Sequence, residues 1–119
     1  MKFYYNGELV RTSKTHHYTH AVIDSNNGRC IGCCSRLDLA LKLRDSEISE
    51  VATGIENCKR AIKALEEGKK YYRCKAGNRE YTEKTYYSID EWKRFMKNDE
   101  EKLEYKTKYF KVVELEERP

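Results

Sequence analysis

The stretch "RTSKTHHYTHAVID", residues 11–24, gathers all three histidines of the chain among hydroxyl side chains, and "CIGCC" follows at 30–34. His16 or His17 with His20, joined to Cys30 and Cys33, would supply the imidazole and thiolate ligands of a tetrahedral zinc ion. In a continuous strand, however, Cys30 and Cys33 point to opposite faces. Only Gly32 between them encourages the knuckle a metal would need. A chain of this length can also bury a core without metal. The cysteines are therefore read as small apolar residues, and neither metal nor cofactor is expected. A thiol nucleophile would need Cys30, Cys33 or Cys34 beside His17 or His20, with an orienting group and an oxyanion hole. The sequence offers neither of these, no Gly-rich phosphate loop and no suggestive carboxylate pair. The chain is read as a non-enzyme.

Anion binding suits the same region better. Arg11, Thr12, Ser13, Lys14 and His17 combine cations with hydroxyl donors beside a turn. Arg73, Asn78, Arg79 and Tyr81 repeat the theme in a second segment, with Tyr71 and Tyr72 available to stack. Phosphates call for guanidinium forks and hydroxyls, and a base calls for an aromatic face.

The elements that must position these residues can be read from local patterns. "KFYY-NG-ELVRTS" (2–13) is strand, turn, strand, because Asn6-Gly7 tolerates positive φ. "HHYTHAVID" alternates, with His17, Thr19, Ala21 and Ile23 on one face and Tyr18, His20 and Val22 on the other. "SNNG" turns the chain and "RCIGCC" follows as another strand, which makes an N-terminal antiparallel meander. From Ser35, apolar residues then recur at Leu37, Leu41, Ile48, Val51, Ile55, Cys58, Ile62 and Leu65, with Arg44 in the gap. This heptad stripe predicts a helix over about 36–67, ending at Gly68. Gly54 weakens it, and Asp45-Ser46 could mark a break. A helix of that length is about 48 Å long, against roughly 30 Å for a globule of this size. Part of the stripe should therefore find cover on a second copy, giving at least a dimer through helix 36–67.

"KKYYRCKAGNREYTEKTYYS" (69–88) reads as a β-hairpin around Ala76-Gly77-Asn78. Ser88 and Glu91 form a capping box for a second helix over about 89–105, with Trp92, Phe95, Met96 and Leu103 inward. "KYFKVVEL" (108–115) is a C-terminal strand, and "EERP" is expected to fray. The expectation is one α+β domain over 1–119.

Composition bounds the function. The net charge of +4, from 24 basic and 20 acidic side chains, is mild, and nucleic acid is not the expected partner. No apolar run approaches the roughly 20 residues of a membrane span. The first residues, "MKFYYNGE", lack the apolar core of a signal peptide. With five cysteines, an odd number, the thiols are expected to be reduced in a cytosol. Ten tyrosines against one proline suit strands, ligand sites and interfaces alike.

"YYNGELVRTSKTHHYTHAVI" and "IENCKRAIKALEEGKKYYRC" look like segments of small phage and prophage proteins. More narrowly, the chain resembles the phage Thoeris anti-defence sponge proteins, over the N-terminal sheet and the long helix. The resemblance implies a non-enzymatic protein of the host cytosol that captures a cyclic ADP-ribose isomer before it reaches its effector. It also implies a homo-oligomer with ligand at protomer contacts and a second site for cyclic oligonucleotides. Toward such a ligand, Arg11, Arg73 or Arg79 would meet phosphates, and Tyr72 or Tyr81 would stack on adenine. Ser13, Thr19 or Asn78 would meet ribose hydroxyls, with His17 beside them. Two rival readings keep the same fold. One is a phage protein that inhibits a host protein through its tyrosines. The other is a nucleic-acid accessory protein using residues 1–36, which carry five Lys/Arg against two acids.

Overall fold

A computed structural model describes all 119 residues, Met1–Pro119. It is α+β, as the patterns predict. Eight strands and two helices run in the order β1 (Lys2–Tyr5), β2 (Glu8–Thr12), β3 (His20–Asp24), β4 (Cys30–Cys34), α1 (Leu37–Glu66), β5 (Tyr71–Ala76), β6 (Arg79–Lys84), α2 (Ile89–Tyr109), β7 (Phe110–Glu114) and β8 (Glu116–Arg118). Packing divides the chain into two compact units, one of Met1–Glu47 with Lys106–Pro119, the other of Ile48–Tyr105. The divisions fall inside both helices.

In the first unit the N-terminal meander is shared between two antiparallel sheets, of order β2-β1-β8 and β4-β3-β7. Asn6 and Gly7 both take positive φ, 49° and 79°, the pattern of a type I′ hairpin turn. The polar tail does not fray: Glu116, Glu117 and Arg118 pair with Tyr4, Phe3 and Lys2. β3 lies between β4 and β7, and Ala21, Val22, Ile23 and Asp24 are all buried. Side chains alternate along the strand, but from Ala21 on both faces are covered, so neither is a polar face. His16 to Thr19 precede the strand. Asp24 is tolerated because its carboxylate accepts the Asn26 N–H at 2.9 Å, closing the turn after β3.

β4 carries one irregularity. Ala21 faces Cys33 and Val22 faces Gly32, but Ile23 faces Cys30. Ile31 is thus an extra residue, a β-bulge. Gly32 sits beside it and lets α1 come close: a Cβ there would lie 2.8 Å from Leu43 Cδ2, so that side chain would have to shift.

α1 is unbroken from Leu37 to Glu66, about 45 Å at the helical rise per residue. Its end is a Schellman motif: Gly68 has φ 73°, the Gly68 N–H donates to Leu65 C=O, and the Lys69 N–H donates to Ala64 C=O. Arg44, the charged interruption of the stripe, donates from Nε to Phe110 C=O at 2.7 Å and from Nη2 to Thr107 C=O at 3.2 Å. It thereby satisfies one carbonyl that the last turn of α2 leaves open, that of Thr107, and the first carbonyl of β7.

In the second unit, Cys58, Ala61, Ile62 and Ala64 of α1 pack with Tyr72, Cys74 and Trp92. Val51 and Ile55 are also buried. The stretch of the stripe from Val51 to Ile62 thus finds cover within its own chain, so the part left for a second copy to cover is shorter than the whole stripe. What stays open lies at the helix start, where Leu37 and Leu41 are 49% and 47% exposed. Gly54 admits the Asp99 carboxylate, whose Oδ2 would be 2.9 Å from a Cβ. α2 starts at the expected capping box: the Glu91 N–H donates to Ser88 Oγ at 3.2 Å, and Ser88 Oγ donates to Glu91 Oε1.

Candidate functional site

The predicted ligand residues fall into both units, and each set is held by local structure. In the first unit Ser13 builds a turn, its Oγ accepting the N–H groups of Thr15 and His16 at 3.3 and 3.0 Å. Thr19 Oγ1 lies 2.7 Å from His20 Nδ1. His17 Nδ1 lies 3.2 Å from Glu117 Oε1 at the surface. Arg11 stands over the Tyr18 ring, 5.7 Å from its centroid. The other neighbours of Tyr18 are His16, stacked at 5.5 Å, and Phe3, edge-on at 5.2 Å. The aromatic anchor of this segment is therefore Tyr18, which the sequence reading left out of the ligand set.

A cavity of about 530 Å³ does lie in this unit, but its walls are Tyr5, Leu9, Ile23, Cys30, Lys111 and Val113, with neighbouring residues of the β1–β2 turn. Arg11, Ser13, His17 and Thr19 are not among its lining. Lys111 is its one cation, and Glu8 offsets it.

The second unit holds a groove of about 490 Å³ between the end of α1 and the β5–β6 hairpin. Two predicted residues, Tyr72 and Arg73, line it. Arg60, Lys63, Lys69 and Tyr71 join them, and Glu67 and Glu80 are the acids. Sequence periodicity explains how they converge. Arg60, Lys63 and Glu67 are one helical turn apart each, beside the small Ala61 and Ala64 that let the hairpin approach α1 closely. In β5 the alternation of Tyr71, Tyr72 and Arg73 sends Tyr72 inward and its neighbours out.

Tyr72 is only 9% exposed, and its ring meets Trp92 edge-to-face at 5.5 Å. It is a core residue with one edge on the groove, which corrects its expected role as a stacking surface. Burial first, and then Cys74, push its phenol well above the ordinary range. Tyr71 beside it is 57% exposed and presents the free ring. Tyr81 sits across the ladder from Cys74, and the hydrogen bond between their side chains raises the Tyr81 phenol. Asn78 lies in the hairpin turn and Arg79 pairs with Ala76. Neither reaches the groove lining. Gly77 alone takes positive φ in that turn, 60°.

Glu80 draws the guanidiniums together. Its Oε1 lies 3.4 Å from Arg60 Nη1 and its Oε2 lies 3.6 Å from Arg73 Nε. Arg60 is also held by Glu56, at 2.8 Å. Asn57 fixes helix to hairpin: its Nδ2 donates to Lys75 C=O and its Oδ1 accepts the Lys75 N–H, both at 2.8 Å. A single amide thus pairs with the open edge of β5 as a strand would. At the mouth, the Glu67 carboxylate is lowered by its hydrogen bond to Lys69 and by that cation's charge.

No three His, Cys, Asp or Glu side chains gather into a group able to hold a metal ion. No helix is long and apolar enough to cross a membrane. No family model matches the chain, and neither a curated protein nor a solved structure matches it.

Proposed function

We propose that the chain is a non-enzymatic phage or prophage anti-defence protein of the host cytosol that sequesters a cyclic nucleotide signal, a cyclic ADP-ribose isomer, in the groove of the second unit. The observation that carries this reading is the grouping of Arg60, Lys63, Lys69 and Arg73 around an exposed Tyr71 in about 490 Å³. Cations with fork geometry suit two phosphates, an exposed aromatic face suits adenine, and the volume lies within the range of small-ligand sites. Self-association belongs to the same proposal. Leu37 and Leu41, one helical turn apart and exposed, are the surface a second copy would cover.

Titration calorimetry and thermal shift with cyclic ADP-ribose isomers test the reading. Ligand at 100 times its Kd stabilises a fold by about 2.7 kcal/mol, which a melting curve resolves. Arg73→Ala removes one charge-assisted contact of about 1.5–3 kcal/mol and should weaken binding about tenfold or more. Native mass spectrometry in the same experiment reads copy number. No melting shift with any isomer well above micromolar concentration refutes the proposal. Retention of a host protein in place of nucleotide would favour the inhibitor reading, for which the exposed Tyr86 and Tyr87 are suitable anchors.

A further inference from the structure

We propose that Cys30 and Cys33 form a thiol–disulfide exchange site, a dithiol that reacts with a low-molecular-weight disulfide and closes to an internal disulfide. Three observations carry it. First, the two Sγ atoms are in contact at 3.7 Å, although residues three apart in a regular strand face opposite ways. Second, the contact is built by the bulge. With Ile31 as the extra residue, Cys30 and Cys33 oppose Ile23 and Ala21, which lie on one face of β3. The bulge is followed by Gly32, where a Cβ would press on the tip of the Leu43 side chain, 2.8 Å away. Third, the pair is reachable: Cys30 lines the cavity of the first unit, and both thiols are half-buried. Cys34 faces His20 in the next register position, on the other side of the strand. Cys58 and Cys74 are buried in the core of the second unit.

The chemistry balances with one oxidant molecule, RSSR. Cys30, on the cavity wall, loses its proton and its Sγ attacks one sulfur of RSSR. That S–S bond breaks, and RS⁻ leaves with the electron pair and takes up a proton. Cys33 then loses its proton and attacks Cys30 Sγ, expelling the second RS⁻, which is protonated in turn. Two cysteine S–H bonds are exchanged for one S–S bond, and RSSR is reduced by two electrons to two RSH. Arg11 favours the second step, because its charge lowers Cys33 against burial. Cys30 ceases to oppose that ionisation once it is held in the mixed disulfide. The dithiol belongs to the first unit and the proposed nucleotide groove to the second, and the test of one does not depend on ligand binding at the other.

The full-length reduced chain is treated with glutathione disulfide, quenched by alkylation and mapped by peptide mass spectrometry. Cys30 and Cys33 are expected to appear as one linked peptide, formed about tenfold or more faster than Cys58 or Cys74 lose their thiols. Cys33→Ser should stop at a single glutathione adduct on Cys30, while Cys30→Ser should form no internal link. Wild-type mapping needs no substitution, so it stands even if a variant folds poorly. The proposal is overturned if both thiols remain alkylatable under conditions that close a dithiol control peptide. It is equally overturned if adducts settle on Cys34 and no Cys30–Cys33 link forms.

Discussion

Replacing Asn57 probes the joint on which the groove depends. Its amide makes two hydrogen bonds of 2.8 Å with the Lys75 backbone, each contributing about 1 kcal/mol net. In Asn57→Ala both are lost, while the better helix propensity of alanine returns about 0.5 kcal/mol. The expected cost is about 1.5 kcal/mol. Lys75 is half-buried, so water can reach its freed backbone groups and a larger penalty is not expected. With a urea slope of about 2 kcal/mol per molar, the unfolding midpoint should fall by a little under about 1 M. Asn57→Asp adds a second signature. The introduced carboxylate still accepts the Lys75 N–H but faces the Lys75 carbonyl without a proton to donate. Protonation restores that donor, so the folded pKa of the introduced carboxyl should rise above the ordinary aspartate value of about 3.9. The stability of this variant, relative to wild type, should then be recovered below that value and lost as pH rises through the folded pKa. On the proposed function, both variants should also weaken ligand binding, because Arg60 and Tyr71 would no longer be held in register. An Asn57→Ala midpoint unchanged within error, or an Asn57→Asp variant whose stability tracks wild type at every pH, would refute the clamp.

Arg44→Leu, which removes two hydrogen bonds to the carbonyls of Thr107 and Phe110, should cost about 2 kcal/mol by chemical denaturation, with Arg44→Lys intermediate. An Arg44→Leu variant as stable as wild type would show those carbonyls to be hydrated instead. Alkaline stability follows from Cys33, raised from 9.0 to about 12 chiefly by burial, and from Tyr72, raised for the same first reason. The unfolded thiol ionises first, so stability is whole below about 9 and declines as pH rises toward 12. Melting curves of Cys33→Ser in reductant should show a shallower decline over that range.

What could be read from sequence is what local chemistry decides. Asn6-Gly7, Ser88 with Glu91, and Gly68 each settle their own backbone within a few residues, and the turns and helix ends stand where those residues put them. The stripe from Val51 to Ile62 likewise announced one buried face, but the pattern does not say who buries it. The answer here is a hairpin and a helix of the same chain. β8 was illegible for the opposite reason. "EER" has no apolar signal, and it forms a strand only because β1 offers an open edge distant in sequence. The bulge at Ile31 is also non-local, since Gly32 gives way to Leu43 on α1. That one displaced residue turns two cysteines on opposite faces into a touching pair. Of the ligand set, Tyr72 and Arg73 reach the groove; Arg60 and Lys63 were missed because they read as the solvated face of a helix. Charge spacing along α1 together with Ala61 and Ala64 was the available clue: small residues beside cations mark a place where another element comes close.

The electrostatics of the groove bear on where an anion would sit. The last turn of α1 points its carbonyl end toward Lys69, and the partial negative charge there opposes a phosphate. Lys69 is moreover engaged by Glu67 at 2.9 Å. At the other end, Arg60 and Arg73 converge on the single carboxylate of Glu80. Pairs this exposed contribute at most about 1 kcal/mol each, so exchanging Glu80 for a phosphate gives up little. A phosphate offers more acceptor oxygens to the same two guanidiniums. Glu80 keeps those guanidiniums gathered before any ligand arrives, which reduces the ordering cost of binding. On the proposed reading, the phosphates therefore belong beside Arg60 and Arg73, and the base beside Tyr71.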